Sequence, residues 1–540
     1  MGFLIYCPVG ECLLKADLVL INGHVLTMNS SQPYAEAVAI KKDKIVKVGR
    51  KEEISPFIGK KTVIIDLKGK SVIPGLIDAH IHVADFGKIL NWVNLTGAKS
   101  IREMQDQIRS HSERVPKGKW IIGYGWDEAN FIEKRYPNRK DLDEASPENP
   151  AVLYRRQGRV CVINTKALEL AGITAKTIPP QGGEIEKDPQ TGEPNGILRE
   201  NATDLVWKII PAPTEEEILK TVKMAFQKIL EAGITSIHWI VLSPSEIAII
   251  RKLCTKNELP LRVHLIIPAT LLKDIEKLNN VTKGKVKLQG VIIFADGALA
   301  SRTAALSIPY KDCPETKGTL FYTQKQLKDL IAEIGKNNLQ PVIHAMGDQA
   351  INMALNAIEE ALDETARKNL RPRIEQAAVL NIDLIRHMKS LEATASVQPY
   401  LIFSEFSVWS AMDGLGSERA RWLYPLKTLM TEGVIICGGS DCPMEPLNSF
   451  LHIKAAVARQ FFQEEQITID EALRMYTVNA AYASFEEDIK GSIEEGKLAD
   501  LTVLSQNPLK IPPNEIDSIK VEMTIVGGKV AYSTSPFAEK

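Results

Sequence analysis

The chain predicts an α/β fold: a (β/α)8 TIM-type barrel, a small β-sandwich formed by both chain ends, and a lid inserted after the first barrel strand. Three observations carry this. β-rich segments open and close the chain, and eight strand candidates alternate with amphipathic helices between them. Third, the run Val72-Ile73-Pro74-Gly75-Leu76-Ile77-Asp78-Ala79-His80-Ile81-His82 ends an apolar strand in two histidines.

The opening strands are Leu18–Ile21 and Val25–Met28, with Asn22-Gly23 between them as a hairpin signal. Ala37–Lys41, Ile45–Val48 and Val63–Leu67 continue the pattern. At the other end stand Ala499–Leu504, Glu522–Val526, the turn Gly527-Gly528 and Val530–Tyr532. Neither end has enough strands for a core alone, so residues 1–71 and 490–540 are expected to join into one sandwich.

Residues 72–489 then form the barrel. Its strands are expected at Ser71–His82, Ile234–Trp239, Leu261–Ile267, Val291–Asp296, Gln340–His344, Arg373–Gln376, Thr394–Gln398 and Val434–Gly438. Thr214 with Glu217, and Thr323 with Gln326, are capping boxes opening two of the helices. A doubly wound sheet is the rival architecture. The barrel is preferred because polar candidates cluster at the ends of strands one, four, five, six and eight, where a barrel places its active site. Residues 95–213, with Pro179-Pro180 and Gly182-Gly183, read as the inserted lid.

Composition excludes several classes of partner. A net charge of −1 over 540 residues gives no footprint for nucleic acid or for an anionic membrane. Seven scattered cysteines without a C-x-x-C argue against a disulfide framework or a zinc knuckle, and fit a reducing cytoplasm. Residues 2–14 are apolar but lack a basic start and contain Pro8, Gly10 and Glu11, so they read as a short extension. No run reaches the ~18 apolar residues of a membrane span. The expected partner is a small-molecule substrate, with a homodimer as the commonest assembly for such a chain.

Alternation along a strand puts His80 and His82 on one face, aimed at one point. Imidazole suits zinc and related divalent metals. His344 ends the fifth strand in Pro341-Val-Ile-His-Ala-Met-Gly-Asp348, with Asp348 expected to cap the next helix. Asp441 follows the eighth in Cys437-Gly-Gly-Ser-Asp-Cys-Pro443. Three imidazoles and a carboxylate around an open position make a catalytic metal site. Asp441 is placed to take a proton from attacking water and return it to a leaving amine.

At this point the chain resembles the amidohydrolase superfamily, in the branch containing N-substituted formamide deformylases. The landmarks are PGLIDAHIH (74–82), GYGWDE (123–128), LYRRQGRVCVINTKAL (153–168), GGEI to GILREN (182–201), FADGALASRTAAL (294–306), HAMGDQAI (344–351), RIEQAAVL (373–380), ASVQPY (395–400), GGSDCP (438–443) and GKLADLTVL (496–504). The resemblance implies a barrel, a two-ended sandwich and hydrolysis of amide-like C–N bonds. Three departures matter. Ile292 stands where the family usually has a lysine that bridges two metals, Gln376 replaces a histidine, and Arg159 replaces a lid histidine.

Isoleucine binds no metal and a carboxamide binds zinc poorly. The expected centre therefore holds one divalent ion through His80, His82, His344 and Asp441; zinc is the default, with iron or manganese also suited. Gln376 becomes a group that orients a substrate carbonyl. Glu200 is a further carboxylate in the lid motif, and Asp296 and Arg302 are assigned to substrate or loop organisation. The lone strand histidines His238 and His264 are read as core. Trp92, Trp126, Phe131 and Tyr154 suit either an apolar substrate portion or the lid core. The resulting expectation is a metal-dependent amidohydrolase; the alternative is a degenerate barrel that binds a ligand or partner without catalysis.

Overall fold

Eight strands form one parallel sheet in sequence order in the computed structural model, which describes residues 15–156, 159–278 and 284–535. The extension read at residues 2–14 lies outside the described residues. The strands are Leu76–Ile81, Ile234–Ile240, Arg262–Pro268, Val286–Phe294, Gln340–Ala345, Arg373–Gln376, Thr394–Val397 and Ile436–Gly438. The sheet closes just past the eighth strand. Asp441 N donates to His80 O at 2.8 Å, and His82 N donates to Cys442 O at 2.9 Å. Ile81 and Cys442 thus form a parallel bridge that joins strand eight's continuation to strand one.

The run 71–82, expected as one strand, is two. Ser71–Pro74 pairs antiparallel with Leu501–Leu504 in the sandwich, while Leu76–Ile81 enters the barrel. Gly75 is the joint: a Cβ there would sit 2.2 Å from Thr235 Oγ1. The sandwich does combine both chain ends. One of its sheets orders Lys529–Ser533, Val521–Val526, Leu501–Leu504, Ser71–Pro74, His24–Leu26 and Tyr34–Ala35. The other orders Lys44–Gly49, Ala37–Lys41, Leu18–Ile21 and Val63–Asp66. Leu20, Val38, Val72, Val503 and Ile525 are buried together in their shared core.

Asn22-Gly23 does not make the expected hairpin, because it carries the chain from one sheet to the other. A type I′ turn needs positive φ at both central residues. Asn22 has φ of 57°, but Gly23 is not in that region. Gly527-Gly528, with φ of 55° and 71°, does join the adjacent antiparallel strands Val521–Val526 and Lys529–Ser533.

Strands two to five fill the barrel interior with an apolar layer of Ile240, Ile266, Ile292 and Val342. Strand six instead contributes buried Arg373 and Glu375. Deeper on strands two and three lie His238 and His264, both buried, with ring centroids 4.7 Å apart. Both expected capping boxes form, at Thr214 with Glu217 and at Thr323 with Gln326. Among the described residues, no helix is long and apolar enough to cross a membrane.

Residues Ala84–Met224 form a second compact unit, inserted in sequence between strands one and two. Its sheet orders Gly183–Lys187, Pro194–Glu200, Val160–Ile163, Ala151–Arg155, Ile121–Trp126 and Val93–Asn94. Trp126 and Phe131 are fully buried in its core. Tyr154 stacks on Trp207 at 5.2 Å, and Trp92 lies 6.0 Å from Trp207. Arg159 is held by Asn201 and Asp204 in the same unit.

Glu486 and buried Lys490 form an ion pair, with Lys490 donating to Ser236 on strand two at 3.1 Å. Lys287 approaches the same carboxylate at 2.8 Å. Burial would raise the Glu486 carboxyl, but the two lysines outweigh it and bring it to about 2. The unfolded value is near ~4.3. The folded pKa is thus depressed, so its stabilisation is present above that value and disappears as pH falls toward 2. Glu486→Gln is expected to cost roughly 2–3 kcal/mol at neutral pH. Thermal unfolding of both proteins at stepped pH should show the deficit shrinking below pH ~4.

Candidate metal centre

Barrel closure places the end of strand one against the turn after strand eight. Asp78, inward on strand one, organises that turn: its carboxylate accepts Ser440 N at 2.9 Å, Ser440 Oγ at 2.5 Å and His80 N at 3.1 Å. Burial pushes the Asp78 carboxyl up to about 6 against these bonds. Gly439 lets the turn approach, since a Cβ there would lie 2.6 Å from His80 N. Asp441 takes φ of 57°, a conformation that aspartate tolerates.

The result is a converging donor set. His80 Nε2 and His82 Nε2 each lie 3.4 Å from Asp441 Oδ1. A tetrahedral ion with ~2.0–2.1 Å bonds has donor–donor edges of about 3.4 Å, so the spacing fits one. Among the described residues, His80, His82 and Asp441 are the one group of three histidine, cysteine or acidic side chains whose ligand atoms all lie within 4.8 Å of one another. The buried His82 Nδ1 has no hydrogen-bond partner.

Beneath them lies a buried polar chain. His80 Nδ1 donates to Glu375 Oε2 at 2.6 Å, which leaves Nε2 free to face Asp441. Arg373 holds the other Glu375 oxygen at 2.7 Å and also donates to His238 Nδ1, Ala79 O and Ser396 Oγ. Burial would raise the Glu375 carboxyl, but Arg373 and His80 keep it low. For Asp441, burial acts upward and the two histidines override it, holding the carboxyl well below the usual range. Burial would lower the His80 imidazole, yet Asp441 and Glu375 carry it up to about 10. Two carboxylates thus give the centre a negative field around the His80 imidazole.

His344 stands outside the converging set. It ends strand five as expected, but its Nε2 lies 3.1 Å from Gly297 O and 3.8 Å from Asp296 Oδ1. Its ring packs 5.3 Å from Phe294. Gln376 does reach the centre: Nε2 donates to Asp441 Oδ2 at 3.1 Å, while its buried Oε1 has no partner. Asp296 organises loops, accepting Ala305 N, Met346 N and Gly347 N at 2.9 Å each. Arg302 pairs with Asp312 at 2.7 Å. Asp348 is not a helix cap. Gly347 holds that position, and the Asp348 carboxylate binds Ser307 instead. Glu200 belongs to the second unit, exposed at the end of Pro194–Glu200.

Sequence reasoning assigned no role to Glu375, Arg373 or Asp78. Alternation was the available signal: Asp78 shares the face of His80 and His82, and Arg373 shares that of Glu375. Two charged residues facing inward on one barrel strand need a buried partner.

The chain matches the amidohydrolase family over residues 63–532 and belongs to it. It is 28% identical to the N-substituted formamide deformylase of Arthrobacter pascens over 537 residues, covering 96% of this chain and 98% of that protein. It is 31% identical to Protein LONG AFTER FAR-RED 3 of Arabidopsis thaliana over 542 residues, covering 96% and 92%. The crystal structure of an uncharacterized metal-dependent hydrolase from Pyrococcus furiosus superposes with a TM-score of 0.76 at 31% identity, covering 91% of this chain and all (100%) of that one. Fold and family together define a hydrolase of metal-dependent type.

Two substitutions test the centre. Glu375→Gln removes the charge that orients His80, and is expected to weaken metal affinity by about 10–100-fold in chelator competition. Gly439→Ala should separate the turn from strand one, costing about 3 kcal/mol of stability and the bound metal together, read by thermal unfolding and metal content.

Proposed function

We propose that this protein hydrolyses the C–N bond of a small amide or N-formyl compound at a single divalent metal. The observation that carries the reading is the convergence of His80 Nε2, His82 Nε2 and Asp441 Oδ1, with Glu375 behind His80. The similarity to an N-substituted formamide deformylase over nearly the full chain supports the bond class. A divalent metal held by these residues, zinc by default, would supply a Lewis acid that activates water and polarises the carbonyl.

The chain's own residues supply the rest. Asp441, kept ionised between two imidazoles, accepts the proton of the attacking water and returns it to the leaving nitrogen as the C–N bond breaks. Gln376 Nε2 fixes the Asp441 carboxylate, and its free Oε1 is placed to accept a substrate N–H. Ile292 lies in the apolar layer where a bridging lysine would be needed for a second ion, which favours one metal. His344 joins this reading as a fourth ligand once its ring leaves Gly297 O.

A second reading, ligand binding without catalysis, draws on the same Ile292 and on the position of His344. Metal content by plasma mass spectrometry separates the two. Wild type should carry about one equivalent and turn over N-formyl amines. Asp441→Asn should lower kcat by about 100-fold or more. A metal-free protein with no turnover across amides, esters and lactones would establish the second reading. Retention of the full equivalent in His344→Ala would reduce the protein ligand set to the three converging residues.

A further inference from the structure

A group of polar side chains on the loops after strands seven and eight plays no part in the mechanism above. After strand seven the chain runs through a short helix, Tyr400–Phe403, into a π-helical turn, Ser404–Val408. Such turns are rare and concentrate at functional sites. This one carries Glu405, which is only 5% exposed and whose Oε2 has no hydrogen-bond partner. The loop after strand eight brings Glu445 to the same place, where it hydrogen-bonds to Ser404 and lies within electrostatic reach of Glu405 and Asp441.

The two loops are clamped together by His452. It accepts Tyr400 N at Nδ1, 3.2 Å away, and donates from Nε2 to Pro446 O at 2.7 Å. Tyr424 is fully buried and its hydroxyl is unpartnered; burial, then the charges of Glu405, Glu445 and Asp441, push it well above its ordinary range. Gln398, at the end of strand seven, is also buried with both amide atoms unpartnered.

Glu405 is buried and Glu445 partly buried, with no compensating lysine or arginine among the described residues. Neither forms an ion pair with a lysine or arginine among the described residues, and the charges acting on them are acidic. Burial first, then Glu445, pushes the Glu405 carboxyl up to about 8. Buried carboxylates left unpaired are costly, and the cost is recovered when a cation enters. A metal ion is a poor candidate, because these carboxylates are not part of the cluster whose donor atoms converge. An organic ammonium fits better: it donates three hydrogen bonds, and Glu405, Glu445 and Tyr424 offer oxygen acceptors.

We propose that Glu405 and Glu445 form a recognition site for the protonated amine of the substrate, making it an amino-substituted amide. This rests on the hydrolase reading for the word substrate, while the cation site stands on its own geometry. The apolar layer of Ile240, Ile266, Ile292 and Val342 belongs to strands two to five, whereas Gln398 and Glu405 follow strand seven and Glu445 follows strand eight.

The test is calorimetric binding of benzylamine and benzyl alcohol to the metal-loaded protein, in wild type, Glu405→Gln and Glu445→Gln. Wild type should bind the amine at least about tenfold more tightly than the alcohol, and both variants should lose that preference. Glu445 is only partly buried, so its variant carries the test if Glu405→Gln fails to fold. In parallel, mono-formylated α,ω-diamines and N-butylformamide are assayed. Glu405→Gln should raise KM about tenfold or more for the cationic compounds and leave KM for N-butylformamide unchanged. Equal binding of amine and alcohol by wild type, or a preference that survives both substitutions, would overturn the proposal even if amides are hydrolysed. An amine preference lost in the variants, in a protein that hydrolyses no amide, would uphold the cation site and overturn the hydrolase reading.

Discussion

The centre depends on the closure of the barrel between strand one and the turn that follows strand eight. One buried carboxylate, Asp78, holds both sides by accepting His80 N, Ser440 N and Ser440 Oγ. Around it, Asp441 N meets His80 O and His82 N meets Cys442 O. These are backbone contacts of the converging residues themselves. The same bonds that close the sheet therefore set the distance between two imidazoles and a carboxylate, and Gly439 is needed because any side chain would hold the two segments apart.

The barrel interior is divided by chemistry. Strands two to five contribute Ile240, Ile266, Ile292 and Val342, which neither bind metal nor carry charge. Strand six contributes Arg373 and Glu375, and their ion pair is stabilised by being locked to His80, His238 and Ser396 at once. A buried pair of this kind survives desolvation only when its remaining hydrogen-bonding capacity is used. Glu375 thus links a structural ion pair to the orientation of the His80 imidazole, and so couples folding to the geometry of the candidate centre.

Much of the architecture was legible locally. Eight strand positions, the two-ended sandwich and both capping boxes follow from periodicity and from residues close in sequence. The failures have physical causes. Asn22-Gly23 looks like a hairpin turn, but only Asn22 takes positive φ and the strands diverge to different sheets. Residues 71–82 look like one strand because their apolar character continues across Gly75, where pairing changes from Leu501–Leu504 to the barrel. Asp348 looks like a cap, yet Ser307, far away in sequence, claims its carboxylate.

By itself the sequence determined that His80 and His82 share a face, since alternation along a strand is a local property of the backbone. It also determined that no lysine stands at 292 and no histidine at 376, which is what motivates the proposed single-metal centre. Tertiary structure alone decided the company these residues keep. It brought Asp441 to both imidazoles, put Glu375 behind His80, turned His344 toward Gly297 O, and set Glu405 within electrostatic reach of Glu445 and Tyr424. Each of these is a contact between loops or strands distant in the chain. Such contacts depend on how the sheet closes and on which buried polar group claims which partner, and no local pattern encodes either.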